Sequence, residues 1–168
     1  MKSFGRLLMP ALLAALLGVT APLASAQGSP VWQGFQRQAE TLYQQGNFDA
    51  ARSKAQQALQ VAEQDGGPGG PAVFMSLNVL GVSLASLERY DEAADTLKRA
   101  VAVVELGVGP EHPALVMPLG NHAGVLLRMG RYMEADAILA RALAIAEKTA
   151  GPESEGVAEV LGRSEEHT

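Results

Sequence analysis

Cysteine does not occur in the 168 residues, which excludes disulfides, thiolate catalysis and a lipid-modified amino-terminal cysteine. Aromatic residues are scarce, at 5% of a chain that is 48% hydrophobic. The apolar content is therefore mostly Ala, Leu and Val, which favours closely packed helices over a β-sandwich. Basic residues are outnumbered, 13 Lys and Arg against 18 Asp and Glu, for a net charge of −5. No basic stripe is available to neutralise phosphates, which argues against a nucleic-acid partner.

Catalytic motifs are missing as well. There is no Gly-x-Ser-x-Gly elbow, no His-Glu-x-x-His and no glycine loop followed by a phosphate-binding Lys. The glycine-rich stretch Gly66 to Gly70 lacks that Lys and reads as a turn. Glu111 and His112 are adjacent, but the corresponding turns carry Gly69-Gly70 and Glu153-Ser154, so the pair reads as solvated linker rather than metal ligands. His122 reads as a packed core histidine. The expectation is a non-enzyme with no cofactor and no metal.

A long hydrophobic run is also absent. Leu7 to Val19, preceded by Lys2 and Arg6 and broken by Pro10, falls short of the roughly 20 residues a membrane span needs. It leads into Ala24-Ser25-Ala26, a small-x-small cleavage pattern. Residues 1–26 are thus expected to be a signal peptide cut after Ala26, with 27–31 a short linker. Losing Lys2 and Arg6 would leave 11 basic against 18 acidic residues, a charge of −7. The short Ala/Leu-rich signal is bacterial in kind, so a periplasmic or secreted destination is expected, with no membrane association after cleavage.

What the chain does have is a period. Phe48, Tyr90 and Tyr132 lie 42 residues apart, and the same interval separates Gly67-Pro68, Gly109-Pro110 and Gly151-Pro152. Ala51, Ala93 and Ala135 keep it, as do Ala58, Ala100 and Ala142, and Glu63, Glu105 and Glu147. A constant interval of this size means one supersecondary unit copied in tandem. Within each copy the apolar residues fall at helical spacing on either side of a turn: Leu77, Leu80, Gly81 and Leu84, then Glu88-Arg89, then Ala93, Leu97, Ala100, Val101 and Val104. The third copy matches with Leu119, Ala123 and Leu126, a turn at Gly130-Arg131, then Ala135, Leu139, Ala142 and Leu143. The first is looser, with Phe35, Ala39 and Leu42, a turn at Gly46-Asn47, then Ala51, Ala55, Ala58 and Leu59.

Each unit is therefore a helical hairpin, and the chain is expected to be an all-α solenoid of stacked antiparallel pairs. Small residues at Ala39, Gly81 and Ala123, opposite Ala51, Ala93 and Ala135, let the paired helices approach. The rings of Phe48, Tyr90 and Tyr132 are expected to fill the wedge where the helices diverge, and Trp32 and Phe74 to be packing rings at helix starts. Gly46 and Gly130 suit the left-handed residue that ends a helix. Pro118 should delay or kink the first helix of the third copy. Gln38 and His122 stand where the second copy has Leu80.

Leu77-x-x-Leu80-Gly81-x-x-Leu84 with Tyr90-x-x-Ala93 resembles the tetratricopeptide repeat. The long turn with Gly109-Pro110-Glu111-His112-Pro113 is similar to the 42-residue variant of kinesin light chains and many bacterial proteins. The resemblance covers about residues 32–162, as repeats 32–73, 74–115 and 116–157 with the start of a fourth. It implies a right-handed superhelix whose first helices line a concave groove for a peptide. By phase, Gln33, Arg37, Glu40, Tyr43 and Gln44 come to that groove from the first copy. Asn78, Val79, Val82 and Ser86 come from the second, and Asn121, Gly124 and Arg128 from the third. The resemblance gives an Asn in this position, Asn121 with Asn78 one residue out of phase, the task of bonding a ligand's main chain. Arg37 and Arg128 are suited to a bidentate carboxylate contact.

Residues Arg163 to Thr168 break the repeat after Leu161 and resemble translated sequencing-adapter DNA, so a longer natural chain is expected. The function implied is an exported module that binds a peptide or partner protein. The alternatives are the recognition arm of a larger enzyme, for example a protease, and a structural homo-oligomer.

Overall fold

The computed structural model describes residues 28–150. The expected signal peptide, the start of a fourth repeat and the suspect tail lie outside the described residues. Within them the fold is all-helical: α1 (Pro30–Gln44), α2 (Phe48–Gly66), α3 (Pro71–Ser86), α4 (Tyr90–Val108), α5 (Val116–Arg128) and α6 (Tyr132–Ala150). Each helix packs on its neighbours in sequence, giving three hairpins stacked side by side. In addition α1 touches α3 and α3 touches α5. The first helices of the three hairpins thus form one continuous layer.

The hairpin turns are three versions of one structure. Gly46, Glu88 and Gly130 all have positive φ, at 75°, 61° and 73°. In each turn the following N–H reaches back to close the helix: Asn47 to the Leu42 carbonyl, Arg89 to that of Leu84 and Arg131 to that of Leu126, all at 2.9 Å. This is the six-to-one hydrogen bond of a Schellman end, which satisfies carbonyls the helix leaves open. Glu88 adopts without glycine a conformation that suits glycine.

Close helix packing follows from the small residues. Ala39, Ala51, Ala93, Ala123 and Ala135 have no exposed surface. At Gly81 a Cβ would stand 2.6 Å from Leu97 Cγ, so no side chain fits there without movement. The expectation for Pro118 holds. α5 has 13 residues against 16 in α3, because a 3-10 turn, Pro113–Leu115, takes the place of its opening. Pro118 then falls in the first turn, where a missing N–H costs no hydrogen bond.

Repeats one and two are joined by a buried polar chain. The Trp32 indole N–H donates to Ser76 Oγ at 2.8 Å, and Ser76 Oγ lies 3.2 Å from Gln36 Oε1. On the outside, Arg99 pairs with Glu63 and Arg141 with Glu105, again one period apart. Such exposed pairs each contribute about 0–1 kcal/mol.

One expectation needs correction. Phe48 and Tyr90 open α2 and α4 half-buried, but Tyr132 is 55% exposed, because no further hairpin flanks α6 among the described residues. Gln38 does not share the packing role of Leu80. It is exposed, since α1 begins the described stack and its outward side has no earlier hairpin against it.

Candidate partner-binding face

The open side of the α1–α3–α5 layer carries a cleft of about 530 Å³ between α3 and α5. Six of the residues expected in the groove line it together: Tyr43, Val82, Ser86, Asn121, Gly124 and Arg128. Gly124 makes the cleft possible, because no atom lies within 4 Å of where its Cβ would be. Its period mates are Glu40 and Val82, so the third repeat is open where the other two carry side chains.

Six expected residues lie outside the cleft. Arg37 is exposed midway along α1, one turn beyond Gln33, its Nε 3.4 Å from the Gln33 carbonyl. Glu40 accepts a hydrogen bond from Gln36 Nε2 at 2.8 Å. Asn78 is tied to the cleft through Asn121, whose Nδ2 donates to Asn78 Oδ1 at 2.8 Å. The two amides, one residue out of phase, therefore meet across the α3–α5 contact. Of the remaining residues, Gln33 Nε2 lies 3.4 Å from the Gly28 carbonyl and Gln44 is exposed. Val79 is a correction: it is buried with Ala39 and Ala55 at the seam between the first two hairpins, because the close approach of α1 to α3 seals that position.

Sequence reasoning missed several cleft residues. Glu88 and Tyr90 reach it from the α3–α4 turn, and the left-handed turn geometry that carries them was not written in the sequence at Glu88. Outside the cleft lining, Met75 and Met117, one period apart on α3 and α5, are each 41% exposed. Their shared phase was the available signal. Asn121 Nδ2 also lies 3.3 Å from Met117 Sδ.

The charges on this face differ from those elsewhere. Arg52, Arg89, Arg99, Arg131 and Arg141 each sit within 3.9 Å of a carboxylate. Arg37 and Arg128 have no carboxylate within that distance among the described residues, and both belong to first helices. A guanidinium without an ion pair keeps its planar set of donors open to a carboxylate.

His122 faces the other way, into a smaller cleft of about 260 Å³ with Asp95, Lys98, Arg131 and Glu134. Burial holds its pKa below the ordinary 6.5, and the charges of Lys98 and Arg131 push the same way. Arg131 binds Glu134 with two bonds of 2.7 Å, which holds that carboxyl below its usual range. In the Gly109 turn, Glu111 pairs with Lys148 at 2.6 Å and His112 Nδ1 accepts the Ala114 N–H at 3.2 Å. Both residues thus have structural tasks. Among the described residues no three His, Asp or Glu are grouped to hold a metal, and no helix is long and apolar enough to cross a membrane.

The family model of the tetratricopeptide repeat matches residues 35–105 and 114–163, more than half of the chain. The chain belongs to the tetratricopeptide repeat family. Among solved structures it is similar to the nearly identical tetratricopeptide-like repeats of a putative kinesin light chain from Podosopora anserina. The TM-score is 0.72 at 19% identity, over 80% of this chain and 64% of that one. A point variant of the same protein gives 0.73 at 18%, over 86% and 66%. A third likeness is to SycD, the type III secretion translocator chaperone of Yersinia enterocolitica, with a TM-score of 0.64 at 18% identity over 83% and 93%. The chain thus spans about two thirds of the length of the kinesin-light-chain-like structures. No curated protein matches its sequence. At these identities the structures attest the fold alone, and the tetratricopeptide family is typical of protein-interaction modules.

Proposed function

We propose that the chain is an exported, non-catalytic module whose concave face holds an acidic segment of a partner protein. The observation that carries the reading is the pairing of the arginines: those outside the face are ion-paired, while Arg37 and Arg128 on it have no carboxylate partner among the described residues. Arg128 borders a cleft whose walls are Tyr43, Val82 and Tyr90, so a partner side chain can be buried beside its carboxylate. Asn121 and Asn78 lie at the rim, where amides that donate and accept suit an extended main chain regardless of its sequence. Export is supported by Lys2, Arg6, the Leu7 to Val19 run and the Ala24-Ser25-Ala26 pattern.

The test is binding to immobilised synthetic peptides of equal length, glutamate-rich or lysine-rich. The glutamate-rich set should be retained, and Arg37→Ala with Arg128→Ala should lose it. Arg89→Ala, which breaks a pair outside the face, should not. Equal retention of both peptide sets, or a loss no greater than that of Arg89→Ala, would remove the acidic-partner reading. Export is checked by fractionation and amino-terminal sequencing of the expressed protein, which should begin at Gln27.

A further inference from the structure

Met75, in the second turn of α3, and Met117, at the start of α5, share one repeat phase, and solvent reaches each to the same 41%. Their surroundings differ one turn further along the helix. The Asn121 side chain is one turn beyond Met117, with Nδ2 3.3 Å from Met117 Sδ and 2.8 Å from Asn78 Oδ1. One turn beyond Met75 the same position holds Val79, which is buried and apolar. Of these two repeats, it is therefore the third that sets an oxidisable sulfur against the amide at the rim of the cleft.

We propose that Met117 is a redox modification site, whose oxidation to the sulfoxide by a peroxide captures the Asn121 amide. In the step, a lone pair on Sδ attacks one oxygen of hydrogen peroxide, the O–O bond breaks as the S–O bond forms, and the second oxygen leaves as water after proton transfer. Sulfur is oxidised by two electrons and the peroxide is reduced. The thioether is a weak hydrogen-bond acceptor, whereas the sulfoxide oxygen is polar and strongly accepting. Asn121 Nδ2 has two N–H groups. One donates to Asn78 Oδ1, and the other exchanges its weak contact with the thioether for a stronger bond to the new oxygen. Methionine's rotatable bonds let the oxygen reach the amide without backbone movement. The change is reversible by methionine sulfoxide reductases.

The consequence for a partner rests on the reading of the concave face given above, but the modification itself does not. The full chain is treated with hydrogen peroxide, oxidation of each methionine is followed by peptide mass spectrometry, and the Asn121 side-chain amide is followed by NMR. Met133, 84% exposed at the start of α6, serves as a remote control. The Asn121 resonances should shift in step with oxidation of Met117, in the native chain and in Met75→Leu alike. They should stay in place in Met117→Leu while Met75 and Met133 oxidise. An unshifted Asn121 amide in protein oxidised at Met117, or an equal shift in Met117→Leu, overturns the proposal. The amide readout needs no ligand, so failure of the acidic-partner reading would leave this result standing and the reverse is equally distinguishable.

Discussion

Gly81 of α3 lies so close to Leu97 of α4 that a methyl group on the glycine would stand 2.6 Å from Leu97 Cγ and 2.7 Å from Cδ2. The equivalent pairs are Ala39 with Ala55 and Ala123 with Leu139, all buried. Gly81→Ala should destabilise the protein by roughly 1–3 kcal/mol through overpacking. Adding Leu97→Ala recreates the small pair of the first hairpin and should make the double variant less damaged than the two single losses summed. Urea denaturation of the four proteins measures the coupling, and strict additivity would contradict the contact.

Gly124 predicts the opposite. Its Cβ would meet nothing within 4 Å, so Gly124→Ala should be tolerated and should stabilise α5 by about 1 kcal/mol, the helix-propensity difference. Gly124→Trp fills the cleft instead. It should keep the helical circular dichroism while abolishing retention on the glutamate-rich peptides, and retained binding would place the partner elsewhere.

Glu88 holds φ at 61°, where its period mates Gly46 and Gly130 hold 75° and 73°. A side chain in the left-handed region costs about 1–2 kcal/mol, partly offset by glycine's greater freedom when unfolded. Glu88→Gly is expected to stabilise the protein by a net of about 1 kcal/mol, read as a higher urea midpoint with an unchanged slope. A lower midpoint would mean that the carboxylate has a stabilising contact outweighing the strain.

These residues also show what the sequence made legible. The period placed the helices, their turns and the delayed start of α5, because repeated side chains of repeated size meet the same packing problem three times. The family resemblance, mapped by phase, named Tyr43, Val82, Asn121, Gly124 and Arg128 for the concave face, and these five line one cleft. Phase alone misplaced Val79, since a residue's angle on its helix does not reveal how closely the next hairpin closes over it. It gave no warning of the Asn78–Asn121 bond either. Two amides 43 residues apart are out of register in the repeat and meet only because side-chain length spans the difference.

Trp32 is the only tryptophan and joins the first hairpin to the second through Ser76. Its ring is buried, with 5% exposure. Trp32→Phe keeps an aromatic ring but leaves Ser76 without its donor, an expected loss of about 1–3 kcal/mol before any cavity is counted. Ser76→Ala strands the indole N–H and should cost a similar amount. Since both delete one bond, the double variant should cost less than the sum. In the native chain, indole fluorescence should shift on the same urea transition as the helical signal if the first two hairpins unfold together.

His122 gives the stack a pH dependence whose sign follows from its surroundings. Asp95 and Lys98 face it from α4, and Arg131 and Glu134 from the turn and start of α6. Burial, then Lys98 and Arg131, hold its folded pKa below 6.5. The unfolded chain, with a histidine pKa of about 6.5, therefore takes up the proton first. Below that pH the unfolded state binds more protons than the folded one, so stability falls as pH drops through the unfolded value and levels off only below the folded pKa. His122→Leu installs the residue that the second repeat carries as Leu80 and should flatten this part of the profile. The check is the urea midpoint of both proteins between about pH 5 and pH 8, the range in which an ordinary histidine changes charge. An equal loss of stability in the two on acidification would assign the effect to groups other than His122.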